Sequence, residues 1–155
     1  MYTRTAVPVT PTSEVRKVMM WPVATADGGS TLNEVAEALA ADEIGAVCIM
    51  EDGRLAGILS ERDIVTHVAA DADLSHLTAA DVMNNDLVTV APDDSVLVAA
   101  RRMEEAQVRH LPVLDNGRIA GIVSIRDLFA VLVGEAHDPS VVVVRSGTRV
   151  MVVGE

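Results

Sequence analysis

Gly121-Ile122-Val123-Ser124-Ile125-Arg126-Asp127 has a counterpart 64 residues earlier, Gly57-Ile58-Leu59-Ser60-Glu61-Arg62-Asp63. Each stretch runs Gly, two apolar residues, Ser, one variable residue, then Arg-Asp. Two such stretches in 155 residues point to two copies of one small module. Working outward from them, the surrounding pattern repeats without a gap. Asn116-Gly117-Arg118 answers Asp52-Gly53-Arg54, and both are expected to form tight hairpin turns with positive φ at the two central residues. Ser95 answers Thr31 as a helix N-cap, and Thr31 with Glu34 forms the pattern of a capping box. Leu32, Val35, Ala36 and Leu39 make one apolar helix face, and Val96, Ala99, Ala100 and Met103 repeat it. A repeat this long suits a duplicated small domain better than a solenoid unit.

Each copy reads as strand, helix, two strands and helix. In the first copy, Glu14–Met20 is expected to form a short helix, Val23–Ala26 a strand, and Ala46–Met50 and Leu55–Leu59 a hairpin. The helix opened by Ser60 is expected to bury Ile64, Val65 and Val68. Thr78, with Asp81 in the first turn, is a candidate cap for the short helix that starts the second copy. The organisation expected is an N-terminal arm at 1–13, a first module at 14–70, a linker at 71–78, a second module at 79–135 and a tail at 136–155. Pro8 and Pro11 argue against a strand in the arm, which is read as mobile or as ordering only on a partner. In the tail, Val141–Arg145 and Arg149–Val153 flank Ser146-Gly147-Thr148 and read as a β-hairpin. Its strands carry little polar alternation, so it should cover the module or pair with a second subunit.

Composition narrows the function classes. Half the residues are apolar and only 2% are aromatic, so the core is built from Val, Ala, Leu, Ile and Met. A formal charge of −11 argues against general affinity for nucleic acid or anionic membranes. Eleven of the 12 basic residues are Arg, a side chain suited to two-pronged contact with phosphate, although genome composition alone can produce that bias. Cys48, the one cysteine, lies in an apolar run and reads as a small core residue. His67, His76 and His137 are scattered and form no metal set. There is no leader-like or membrane-spanning apolar run, and a soluble cytoplasmic protein is expected. Neither a nucleophile–base set nor a phosphate-binding Gly-rich loop is present, so no enzymatic activity is expected.

The repeated motif carries the chemistry. Ser124 ends a strand and starts a helix, where backbone N–H groups and the positive helix end can receive an anion. Asp127, one turn in, can accept two hydrogen bonds from a vicinal diol. Arg126 can contact phosphate, and Gly121 permits close backbone approach. Ser-x-x-Asp at a helix start is equally a plain cap, and the residues alone leave both readings open.

The ordered series Val82-Met83, Thr89-Val90-Ala91-Pro92, Ser95, Ala99, Met103, His110-Leu111-Pro112-Val113, Asn116-Gly117 and Gly121-Ile122-Val123-Ser124 with Asp127 resembles a CBS domain. Residues 18–63 resemble a second copy. The chain as a whole is similar to stand-alone bacterial CBS-pair (Bateman module) proteins. The resemblance implies an α/β (α+β) fold of two tandem β-α-β-β-α domains. These would pack through their sheets with pseudo-twofold symmetry, with clefts between them, and dimerise as modules. It also implies a regulatory protein with no obligatory cofactor. The ligand would be AMP, ADP, ATP or S-adenosylmethionine, and the signal would pass to an effector of unknown identity. The ligand-contact residues it implies are Thr89, Val90, Pro92, Arg109, His110, Leu111, Pro112, Gly121, Ser124, Arg126 and Asp127. In the other copy they are Thr25, Ala46, Val47, Gly57, Ser60, Arg62 and Asp63. The sites are expected to be unequal, because Asp27 would set a negative charge near any phosphate of the first copy. The competing reading is a structural or interaction protein with vestigial sites, oligomerising through its Val-rich tail.

Overall fold

The computed structural model describes residues 3–42, 44–134, 137–146 and 149–153. The chain is a mixed α/β protein with the repeat visible in its element order. The first copy contains β2 (Thr25–Asp27), α1 (Leu32–Ala41), β3 (Ala46–Glu51), β4 (Arg54–Ser60) and α2 (Glu61–Ala69). The second contains α3 (Ala79–Val82), α4 (Val96–Ala106), β5 (His110–Asp115), β6 (Arg118–Ser124) and α5 (Ile125–Leu132). Around them lie β1 (Thr3–Pro8), β7 (His137–Ser146) and β8 (Arg149–Val153). No helix among the described residues is long and apolar enough to cross a membrane.

The local signals act as their chemistry requires. Thr31 and Glu34 close a capping box on α1, and Ser95 accepts from the Val98 N–H at 3.2 Å to start α4. Both hairpin turns have positive φ at their two central residues: 50° and 73° at Asp52 and Gly53, 50° and 79° at Asn116 and Gly117. That backbone twist matches the twist of the strands it joins. Leu32, Val35 and Leu39 of α1 pack with Val47, Ile49 and Leu59 of the hairpin, and Val96, Ala99 and Met103 form the buried stripe of α4.

The compact units of the chain do not coincide with its repeats. One unit joins 1–21 to 89–115 and 121–155; the other joins 22–88 to 116–120. The segment leading into each repeat therefore packs within the unit that holds the other repeat's first helix. Val15 N–H donates to the Asp94 carbonyl at 2.8 Å and Arg16 N–H to that of Pro92 at 3.0 Å, while Met20 and Ile122 exchange backbone hydrogen bonds. In the other unit, Ala79 N–H donates to Ser30 at 2.7 Å and Ala80 N–H to Gly28 at 2.9 Å, and Asn84 pairs with Ile58.

Several expectations need correction. The short helix over Glu14–Met20 is a single 3₁₀ turn, Val15–Lys17, with no side-chain cap. At the corresponding place in the second repeat, Thr78 and Asp81 close a capping box and the turn becomes α-helical. The first strand lies at Thr25–Asp27 rather than 23–26. The arm is not free of ladder structure, since β1 pairs antiparallel with β7. Pro8 is tolerated because it ends an edge strand, where a missing N–H removes little pairing. β7 and β8 form the expected hairpin, whose Gly147-Thr148 turn falls outside the described residues. α2 buries none of its residues fully: Val65 and Val68 are 64% and 58% exposed. Helical spacing puts them on one face, but no element among the described residues covers that face.

Candidate functional site

The two Gly-x-x-Ser-x-x-Asp motifs adopt the same geometry. In the second copy, Ser124 N–H donates to Asp127 Oδ2 at 2.8 Å and Ser124 Oγ to the same oxygen at 3.0 Å. Asp127 N–H returns to Ser124 Oγ at 3.3 Å. In the first copy the three distances for Ser60 and Asp63 are 2.8, 2.9 and 3.4 Å. The capping arrangement left open by the sequence is therefore formed in both copies. It uses one carboxylate oxygen: both bonds from the Ser go to Oδ2, and Oδ1 has no partner among the described residues.

The helix end is less open than the motif suggests. Ile125 N–H is spent on the Arg109 carbonyl at 2.8 Å, and Glu61 N–H on that of Gly45 at 2.9 Å. With the N-cap and third amides engaged in the box, the amide of the second helical residue remains, Arg126 N–H in one copy and Arg62 N–H in the other. An anion here would meet one helix amide and an exposed Arg side chain, because the Ser hydroxyl already gives its hydrogen to the Asp carboxylate. The variable residue separates the copies electrostatically: Glu61 adds a carboxylate to the first turn of α2, where α5 has Ile125.

The motif glycines serve packing. A Cβ on Gly121 would lie 2.5 Å from Met19 Sδ and 2.9 Å from its Cγ, and one on Gly57 would lie 2.5, 2.7 and 2.9 Å from Met83 Sδ, Cγ and Cβ. Close approach is required at both positions, but the visitor is the methionine of an incoming leading segment.

Thr89–Pro92, expected as a strand, is reduced to one parallel bridge, Val90 to Val113. The first copy explains the loss. There Cys48 N–H donates to the Ala24 carbonyl and Gly28 N–H to that of Met50, extending β2 alongside β3. The residues equivalent to these two donors are Pro112 and Pro92, and neither has an N–H. Val90 keeps both its bonds, N–H to Pro112 at 3.1 Å and carbonyl from Leu114 at 2.9 Å. Arg102, which no sequence signal selects, holds the rest of the segment. Its Nη1 donates to the Thr89 carbonyl at 2.8 Å and to Asp94 Oδ2 at 3.0 Å, and Asp94 Oδ2 also accepts from Ala91 N–H at 2.9 Å.

The remaining candidates divide by burial. Val90, Leu111, Pro112, Ala46 and Val47 have buried side chains, and the backbones of Val90 and Pro112 are bonded to each other. Thr25, Arg62, Arg109 and Arg126 are exposed, while Thr89, Ser60, Asp63, Ser124, Asp127 and His110 at the start of β5 are half-buried. Cys48 is fully buried, and burial pushes its thiol up to about 12, which keeps it an inert core thiol. No group of three or more His, Cys, Asp or Glu able to hold a metal occurs among the described residues.

Comparisons with known proteins converge on this architecture. The CBS domain family model matches residues 15–70 and 79–134. The CBS domain-containing protein YhcV of Bacillus subtilis is 33% identical over 116 residues, 75% of this chain and 83% of that protein. The solved CBS domain pair of protein MJ0100, in complex with 5-methylthioadenosine and S-adenosyl-L-methionine, is similar with a TM-score of 0.74 at 26% identity. It covers 81% of this chain and 99% of that one. The CBS domain protein PAE2072 from Pyrobaculum aerophilum, complexed with AMP, gives 0.71 at 32% identity, covering 79% and 98%. Several other relatives are longer, and the chain spans between 21% and 61% of their length.

Proposed function

Because the chain belongs to the CBS-domain family, as a pair of such domains, we propose that it is a cytoplasmic regulatory module binding an adenosine-containing ligand. AMP, ADP, ATP and S-adenosylmethionine are the candidates, and occupancy is passed to a partner protein by a shift in conformation. The observation that carries the reading is the pair of Ser–Asp capping boxes. Each leaves one carboxylate oxygen and one helix amide unengaged beside an exposed arginine. A carboxylate already fixed by its cap can accept from a ribose diol without further ordering cost, and the amide and guanidinium suit phosphate. The AMP and S-adenosylmethionine complexes of similar CBS pairs support this ligand class. The second copy is the stronger site, since it lacks Glu61 and Asp27. The ligand changes the protein's state only by its differential affinity for two conformations. The module performs no chemistry.

A homodimer fits the surface of α5. Ile125, Phe129 and Leu132 stand at helical spacing and are 52%, 62% and 71% exposed. Such a stripe is expected to be covered by another surface. Assembly through the β1–β7–β8 sheet is the second reading, favoured by the Val-rich sequences of β7 and β8.

Thermal-shift titration with AMP, ADP, ATP and S-adenosylmethionine tests the ligand. A rise in Tm with at least one, abolished in the Asp63→Ala/Asp127→Ala double variant, is expected. No shift with any of the four at millimolar concentration would reject the regulatory reading in favour of the structural one.

A further inference from the structure

Resting on the ligand reading above, we propose that Arg102 and Asp94 are positioning residues. They hold the Thr89–Pro92 segment of the second copy in its ligand-contacting conformation. This segment lost two ladder bonds to Pro92 and Pro112, and a single bridge does not fix four residues. The Arg102 guanidinium replaces the missing pairing from the side. One nitrogen, Nη1, reaches both the Thr89 carbonyl and the Asp94 carboxylate, which in turn holds Ala91 N–H. Asp94 N–H donates to the Ala91 carbonyl at 3.1 Å, and the Pro92 carbonyl accepts from Arg16 N–H. The backbone polar groups of Val90, Ala91 and Pro92 are thus all engaged. On Thr89 the N–H and hydroxyl have no partner among the described residues. The clamp therefore selects which groups the segment can offer: Thr89's two donors. At the equivalent positions the first copy has Ser30 and Ala38, which cannot form a charged pair, and its segment is held by the β2–β3 ladder instead.

The test compares the full-length wild type with Arg102→Met, Arg102→Lys and Asp94→Asn. ATP, ADP, AMP and S-adenosylmethionine are titrated by calorimetry, and hydrogen exchange is followed at Ala91. Arg102→Met is expected to weaken the best-bound of the four about tenfold or more and to speed Ala91 exchange by a similar factor, the effect of losing hydrogen bonds to a charged group. Arg102→Lys is expected to restore both, because both bonds come from one nitrogen and an ammonium can make them. A purely packing role for the side chain would not give this rescue. Asp94→Asn keeps an oxygen for Ala91 and is expected to lose less, about threefold, as a neutral acceptor is weaker. If the wild type binds and Arg102→Met binds equally well, the clamp is overturned while the ligand reading stands. If the wild type binds none of the four, the ligand reading falls and the clamp's role falls with it.

Discussion

Thr25–Gly28 and Thr89–Pro92 occupy the same place in the two copies and are held by different physics. The first is a strand, in parallel register with Cys48, Ile49 and Met50. The second has one bridge and a side-chain clamp. Two prolines account for the change, each removing a donor that the first copy uses. A duplicated fold can thus keep its path while exchanging a backbone ladder for an arginine. The exchange leaves the second segment adjustable by single side chains, where the first is fixed by pairing. The leading segments differ in the same spirit: a Thr78/Asp81 capping box makes an α-helical turn, while Glu14 and Lys17, at the equivalent positions, bracket a 3₁₀ turn without a side-chain cap.

The largest effect that would sharpen this comparison lies in the middle strands. Leu111→Ala should cost roughly 2–5 kcal/mol by urea denaturation, because the side chain is fully buried and truncation leaves a cavity. Val47→Ala, at the equivalent site, removes fewer carbons and should cost less. Next come the two motif carboxylates. Asp127→Ala should reduce adenine-nucleotide affinity by more than tenfold, about 1.5–3 kcal/mol for hydrogen bonds to a charged group. Asp63→Ala should do less, and equal losses in calorimetric titrations would end the claim that the sites are unequal.

Gly57→Ala should destabilise by about 1–3 kcal/mol through overpacking against Met83. Gly121→Ala should fall slightly below it, since Met19 Cβ stands 3.1 Å away where Met83 Cβ stands 2.9 Å away. Pairing Gly57→Ala with Met83→Ala should recover part of the loss in thermal melts. An undiminished penalty would show that the glycine acts through backbone conformation.

The smallest effect concerns the leading helix. Hydrogen bonds from the Thr78 backbone and then its hydroxyl hold Asp81 below its ordinary value of 3.8. A carboxylate with a depressed folded value stabilises above the unfolded value and loses that contribution as pH falls through the folded one. NMR titration should therefore place the Asp81 midpoint below 3.8, and Thr78→Val should raise it.

The caps, both hairpin turns and the inward face of α1 were legible in the sequence, because each depends on residues within a few positions of one another. Val65 and Val68 were misread for a physical reason. Spacing identifies a helix face, but only the neighbouring elements decide whether the chain itself covers it, and α5 leaves Phe129 and Leu132 exposed in the same way. That the motif glycines admit a close approach was legible, but not what approaches, since Met19 and Met83 lie far from them along the chain. Arg102 gave no signal at all: on a helix surface it looks like any solvated arginine, and its partners are a carbonyl 13 residues away and Asp94, eight away.

By itself the sequence determined the duplication, the N-caps of the long helices and the hairpin of each copy, all set by local hydrogen bonding and short-range periodicity. Only the tertiary structure decided that each leading segment packs within the other repeat's unit, that the motif glycines make room for methionines, and that Thr89–Pro92 is clamped rather than laddered. These depend on which distant groups meet, and a missing N–H at Pro92 or Pro112 matters only once the strand it would have joined is in place.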